Sequence, residues 1–337
     1  MIYNKTFRFT IDLRTPISNN GKKLLKRNNN NNKNIYILDD NYLTNSGPIQ
    51  FHPKGELNLS EFTQIEQIGK GTFGKIFSVK WNKNNQKYAL KKEKFKKFKY
   101  IQRRQTVIKV INDFLEKTKN KGLIQIYSNY FEKNSDEYNY YELMEIGEKD
   151  WQKEINERRK RNLLYSEKEL MNISFQLIKT LSSLQKNHIT HSDIKPQNIL
   201  RVNNLYKLCD FGEIRIMKKD GLVKQRIRGS ELYMSPILFY GLKGNLLQVK
   251  HNTYKSDVFS LGMCLIYAST LYFNSIEEIR EITDMKKLSI VLNKYLGKRY
   301  SNKFISFVYL MLQLDEQLRP DFIQLEEKLK LFVYNYS

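Results

Sequence analysis

Residues 188 to 212 read His-Ile-Thr-His-Ser-Asp-Ile-Lys-Pro-Gln-Asn-Ile-Leu-Arg-Val-Asn-Asn-Leu-Tyr-Lys-Leu-Cys-Asp-Phe-Gly. Two aspartates, Asp193 and Asp210, bracket a short polar loop and an apolar stretch, with Lys195 and Asn198 two and five places after the first. Pro196 fixes its own φ and cannot continue a helix, so the segment around it is held as a loop. This set suits phosphoryl transfer. One carboxylate can orient a hydroxyl nucleophile, while the other, with the carboxamide oxygen, can hold Mg²⁺ against phosphate oxygens. Two unrelated turn aspartates are the plain alternative; the joint spacing argues against it, because short motifs gain weight in series.

Upstream, Phe62 to Ile68 alternates loosely, Gly69-Lys70-Gly71-Thr72-Phe73-Gly74 follows, and Lys75-Ile76-Phe77-Ser78-Val79 resumes the alternation. This pattern predicts a hairpin whose turn lays backbone N–H groups over phosphates, a close approach that a Cβ would block. A Rossmann unit has the same glycines but begins a helix where Ile76 and Val79 continue as strand. Next comes Tyr88-Ala89-Leu90-Lys91. On a strand Ala89 and Lys91 share one face and Lys92 takes the other, which makes Lys92 the second choice for a functional lysine. Residues 80 to 99 are dense in lysine, so a basic surface strand is the bland reading.

Together these segments resemble the eukaryotic protein kinases: residues 188 to 212 the catalytic and magnesium loops, 69 to 74 the glycine-rich loop, and 88 to 91 the third-strand lysine motif. The resemblance covers about residues 62 to 333. It implies an α+β, two-lobed protein kinase fold, with a small, mostly antiparallel N-lobe sheet and one main helix over about 62 to 144. A hinge at 145 to 148 and a larger, mostly helical C-lobe to about 333 would follow. It also implies ATP and Mg²⁺ as cofactors. Gly69 to Gly74, with Lys91, would position the nucleotide, and Ala89 would floor the adenine site. Met144 would be the gatekeeper, and the backbone of Glu145 and Gly147 would meet adenine. Ile68, Ile76 and Leu200 would complete the nucleotide-contacting set. Asn198 and Asp210 would hold Mg²⁺, Asp193 would orient the substrate hydroxyl, and Lys195 would steady the γ-phosphate.

Several positions depart from the family. Val107 to Glu116 has apolar residues at helical spacing and should be the regulatory helix. The glutamate that pairs with the strand lysine in kinases would fall near Ile111 or Asn112, neither of them acidic; Asp113 or Glu116 could substitute. Ser192 stands where loop-phosphorylated kinases carry an arginine, and no serine, threonine or tyrosine lies between Gly212 and Gly229. The two absences agree with a loop that has no phosphate switch. Ser192 also gives a weak similarity to monopolar-spindle-type dual-specificity kinases. Lys195 and Ser230 match the Ser/Thr-directed type. Ile237 replaces the glutamate that would pair with Arg319, which then needs another partner. Asp257 would cap backbone donors of the catalytic loop. A charged helix is expected over Glu148 to Arg161, a longer one over Glu167 to Asn187, and three more over residues 274 to 333.

Lysine and arginine number 58 against 35 acidic residues, for a formal net charge of +23. The excess favours polyanionic encounters, but it also follows from an AT-biased coding genome, and both readings stay open. No specific nucleic-acid binding is expected. The basic residues Lys218, Lys219, Lys224, Arg226 and Arg228 suit acidic or already phosphorylated protein substrates, with a solvated basic loop as the alternative. Two cysteines, Cys209 and Cys264, cannot make a disulfide framework, so an intracellular setting, cytoplasmic or nuclear, is expected. The longest apolar run, Leu261 to Phe273, is too short to span a bilayer. Residues 1 to 60 read as a poorly ordered extension, basic from Lys22 to Arg27 and homopolymeric from Asn28 to Asn32. The competing functions are a pseudokinase scaffold and an anion-binding adaptor.

Overall fold

The loose alternation of residues 62 to 79 folds as two antiparallel strands, β1 (Phe62–Lys70) and β2 (Gly74–Trp81), paired from Phe62 opposite Trp81 to Lys70 opposite Lys75 with register shifts between Gln64 and Glu66 and between Gln67 and Gly69. The computed structural model describes residues 57–70 and 74–334, the side chains of 331–334 excepted. Gly71, Thr72, Phe73 and nearly all of the expected extension therefore lie outside the described residues. Strands β3 (Lys87–Phe95), β4 (Ile126–Lys133) and β5 (Tyr138–Met144) complete a sheet of order β1-β2-β3-β5-β4. Gly74 meets a further constraint from the sheet itself: a Cβ there would lie 2.2 Å from the Lys92 carbonyl oxygen on β3.

Helix α1 (Phe98–Thr118) crosses behind this sheet and starts well before Val107. Its buried stripe, Ile101, Arg104, Val107, Ile108, Ile111 and Phe114, recurs every three to four residues. The stripe is apolar except at Arg104. The helix ends where Lys119 turns left-handed (φ 54°) and its N–H bonds the Leu115 carbonyl.

The second lobe begins with β6 (Lys149–Asp150), so the charged helix expected from Glu148 starts later, as α2 (Trp151–Lys160) capped by Asp150. Helix α3 (Glu167–Lys186) opens on a capping box in which Ser166 and Glu169 satisfy each other's backbone N–H groups. Short strands follow: β7 (Ile189–Thr190), then β8 (Ile199–Val202) and β9 (Leu205–Leu208), which pair beside β6. Strand β10 (Arg215–Ile216) pairs with β7, and β11 (Leu222–Arg226) with β12 (Gln248–Asn252); α4 (Pro236–Lys243) lies between the last two.

Helix α5 (Thr253–Thr270) is buried at every position but Lys255 and forms the centre of this lobe. Four helices follow where three were expected: α6 (Phe273–Arg280), α7 (Met285–Leu296), α8 (Asn302–Met311) and α9 (Phe322–Tyr334). Asp284 and Ser301 cap backbone donors at the starts of α7 and α8 and set the breaks.

His251 on β12 is 2% exposed, with Nδ1 2.8 Å from Ser256 Oγ and Nε2 2.9 Å from the Gln225 amide nitrogen. Burial, aided by Arg215 and partly opposed by a backbone hydrogen bond at Asn252, depresses its pKa from 6.5 to about 4. Below pH 6.5 the unfolded chain takes the proton first, so this stability is complete above 6.5 and declines as pH falls toward 4. Denaturation across that range should show the wild type losing about 3 kcal/mol more than His251→Gln.

Candidate active site

The Asp193 loop is shaped from below by Asp257 of α5. Its carboxylate accepts the Thr190 hydroxyl at 2.8 Å, the His191 N–H at 3.0 Å and the Ser192 N–H at 3.1 Å. Ser192 is left-handed (φ 63°), which turns the chain sharply just before Asp193. Burial pushes the Asp257 carboxyl up, against the pull of His191 and these donors.

Asp193 is held on both oxygens. Lys195 Nζ donates to Oδ2 at 2.9 Å, and Ser230 donates to Oδ1 through its N–H at 3.1 Å and its hydroxyl at 3.0 Å. Lys195 also donates to Ser230 Oγ at 2.8 Å, closing a triangle between the loop and the segment after Gly229. Asn198 spends its amide nitrogen on the carbonyl and Oδ2 of Asp193, both at 2.9 Å, which leaves its amide oxygen for a cation. The Asn198 carbonyl accepts the Cys209 N–H, and His191 Nε2 lies 3.1 Å from the Cys209 carbonyl oxygen, tying the two loops together.

Asp210 is left-handed (φ 58°) and follows directly. Lys91 Nζ reaches it across the cleft at 3.0 Å, so one ion pair joins β3 of the first lobe to the second. Burial opposes the charge on Asp210, but Lys91 and Arg104 outweigh it and hold its carboxyl at about 2. Burial likewise opposes the charge on Lys91, and Arg104 adds to that; Asp210, Glu93 and Glu142 overcome both and hold its pKa above the ordinary lysine value. Lys92 points to the opposite face, over the Tyr141 ring.

Asp113 and Glu116 are exposed, and neither is the partner of Lys91. The partner is Glu93, two residues along β3, at 3.3 Å. The α1 side chain beside it is Arg104, seven residues (about two turns) before Ile111 on the same stripe. Ile111 itself is fully buried. Period-two alternation along β3 puts Glu93 on the face of Lys91, a signal legible in the sequence.

At the back of the cleft Ala89 stands opposite Met144 in the β3–β5 register. A Cβ on Gly147 would approach Leu200 Cβ at 3.1 Å, so the hinge and β8 close on one another. Ile68 and Ile76 lie on β1 and β2, with Ile76 against Gly69. The segment from Glu213 to Gly229 is pinned by its pairing with β7 and β12 and by Arg228, which donates to Glu213 at 3.1 Å. Arg319 is 1% exposed and, in place of a carboxylate, donates to the backbone carbonyls of Gln313, Leu314 and Lys255. Its guanidinium also lies 5.0 Å from the Phe259 ring centre.

The model of the protein kinase domain matches residues 62–329. The chain belongs to the protein kinase family. This kinase is 30% identical over 222 residues to the serine/threonine-protein kinase TIO of Arabidopsis thaliana, covering 62% of this chain and 14% of that one. It is 29% identical over 211 residues to the human serine/threonine-protein kinase Nek5, covering 62% and 28%. It is 27% identical over 266 residues to the "Probable serine/threonine-protein kinase nek3" of Dictyostelium discoideum, covering 78% and 22%. The kinase thus spans less than a third of the length of each of these relatives.

Replacing Asp257 by alanine leaves the Thr190 hydroxyl with Ser192 Oγ at 3.1 Å but strands the N–H groups of His191 and Ser192. Each is worth roughly 1 to 3 kcal/mol, so Asp257→Ala should lower the unfolding free energy by about 3 kcal/mol or more, read by urea denaturation.

Proposed function

We propose that this kinase transfers the γ-phosphate of Mg-ATP to serine and threonine hydroxyls of protein substrates. The observation that carries the reading is the meeting of Lys91 with Asp210 beside an Asp193 already bonded to Lys195 and Ser230. The donor set suits the metal: among the described residues no three His, Cys, Asp or Glu side chains cluster to form a cage. Mg²⁺ needs no such cage, since it takes one or two protein oxygens and completes its shell with phosphates and water. Asp210 and the Asn198 amide oxygen would hold it, and bound there it would neutralise charge developing on the phosphate oxygens.

The remaining work falls to the protein. Lys91 would grip the α- and β-phosphates while Ala89, Met144, Gly147 and Leu200 enclose the base. Asp193, fixed on both oxygens, would accept the proton of an incoming hydroxyl at the oxygen that Ser230 now occupies. Lys195, within reach of the same point, would steady the transferred phosphoryl group. Positioning and electrostatics of this kind account for most of the rate in phosphoryl transfer.

The exposed residues Lys218, Lys219, Lys224 and Arg226 favour acidic or phosphorylated substrates. The free thiols Cys209 and Cys264 agree with action inside the cell. Among the described residues no helix is long and apolar enough to cross a membrane.

A nucleotide-binding scaffold without transfer is the second reading, favoured by an arginine on α1 where kinases place a carboxylate. Against it, Glu93 supplies a carboxylate to Lys91 and backbone carbonyls satisfy Arg319. Incubation of the full chain with radiolabelled ATP and Mg²⁺ separates the two. Asp193→Asn should lower kcat at least about 100-fold while leaving nucleotide affinity in place; equal incorporation by variant and wild type would remove the transfer reading. The pinned segment without hydroxyls adds a second expectation: phosphatase treatment of the purified kinase should leave its rate unchanged.

A further inference from the structure

Resting on the kinase reading, we infer that Glu93 is the positioning residue that aims Lys91 at the nucleotide phosphates, and that Arg104 ties this strand-borne pair to helix α1. The cluster is enclosed: the side chains of Glu93, Arg104 and Lys91 are 4%, 10% and 11% exposed. Both carboxylate oxygens of Glu93 are engaged. Oε1 lies 3.3 Å from Lys91 Nζ, and Oε2 accepts two hydrogen bonds from Arg104, from Nε at 3.1 Å and Nη2 at 2.6 Å.

Glu142 stands opposite Lys91 in the β3–β5 register, yet its carboxylate lies 3.4 Å from Arg104 Nε. Arg104 Nη2 also comes within 4.0 Å of Asp210. The guanidinium therefore gathers three carboxylates, one each from β3, β5 and the Asp210 loop, and Lys91 bridges two of them.

The physical consequence is a change in what sets the lysine. Lys91 and Glu93 are neighbours on one face of one strand, so their separation is fixed by strand geometry and does not vary with the position of α1. Helix α1 enters the site with a cation. It belongs in place because two cations then face three carboxylates; without Arg104, Glu93, Glu142 and Asp210 would share Lys91 alone. A lysine divided among three carboxylates is drawn off the phosphates, and buried like charges left behind repel. An outward swing of α1 would break the short bonds to Glu93. The helix is thus latched from inside the domain.

The test uses the full chain as wild type, Glu93→Gln, Arg104→Gln, Arg104→Lys and Glu142→Gln. For each, kcat and KM for ATP are measured with casein as acceptor, Kd for Mg-ATP by fluorescent-nucleotide displacement, and amide exchange of α1 without nucleotide. Glu93→Gln and Arg104→Gln should raise both KM and Kd about tenfold, the scale of a lost charge-assisted hydrogen bond. Both should speed exchange along Phe98–Thr118, and Arg104→Lys should recover most of the Kd.

A merely structural role would reduce the active fraction, lowering kcat with KM and Kd unchanged; that result overturns the inference. It is also overturned if Glu142→Gln raises KM and Kd while Glu93→Gln does not. If the wild type binds Mg-ATP but transfers nothing, the kinase reading fails, and the Kd and exchange measurements still decide whether Glu93 anchors Lys91.

Discussion

The ion pair between Lys91 and Asp210 is the constraint on which this architecture turns. A strand lysine and a loop aspartate, 119 residues apart in sequence, are brought to 3.0 Å by two lobes that meet there. Each partner is also supported on its other sides. Lys91 has Glu93 behind it, and Asp210 has Arg104 nearby.

The second lobe supplies its share through a buried carboxylate. Asp257, on a helix buried at every position but one, gathers the backbone donors that give the Asp193 loop its turn. Asn198 is then fixed relative to Cys209, and so to Asp210, by a backbone hydrogen bond, and its side-chain amide holds Asp193. The segment beyond Asp210 is stitched to the same lobe by β7 and β12, and its two ends are joined to each other by the Arg228–Glu213 pair.

Much of this was legible in the chain. The period-two runs, the glycine turn, the amphipathic helices and the spacing of Asp193, Lys195, Asn198 and Asp210 are local patterns, and the structure brings Lys91 and Asp210 together with Asp193 on the neighbouring loop. What escaped depends on distant partners. Residues 92 to 99 are rich in lysine and hide the start of α1, whose buried stripe includes one arginine. Arg104 is tolerated there only because carboxylates from β3 and β5 surround it, and no window of sequence contains all three. The absent helix glutamate was visible; its replacement by Glu93 was visible only as a strand alternation. The pattern around Gly74 carries no sign that the neighbouring strand's backbone also excludes a side chain there. Arg319 shows the same limit, since backbone carbonyls as partners leave no trace in residue types.

The most direct measurement is a crystal structure of the chain with Mg²⁺ and a non-hydrolysable ATP analogue. The account predicts the metal on Asp210 and the Asn198 oxygen, with Lys91 Nζ on the phosphates and still in contact with Glu93. An acidic side chain of α1, Asp113 or Glu116, at Lys91 in place of Glu93 would contradict it, as would a metal bound away from Asp210.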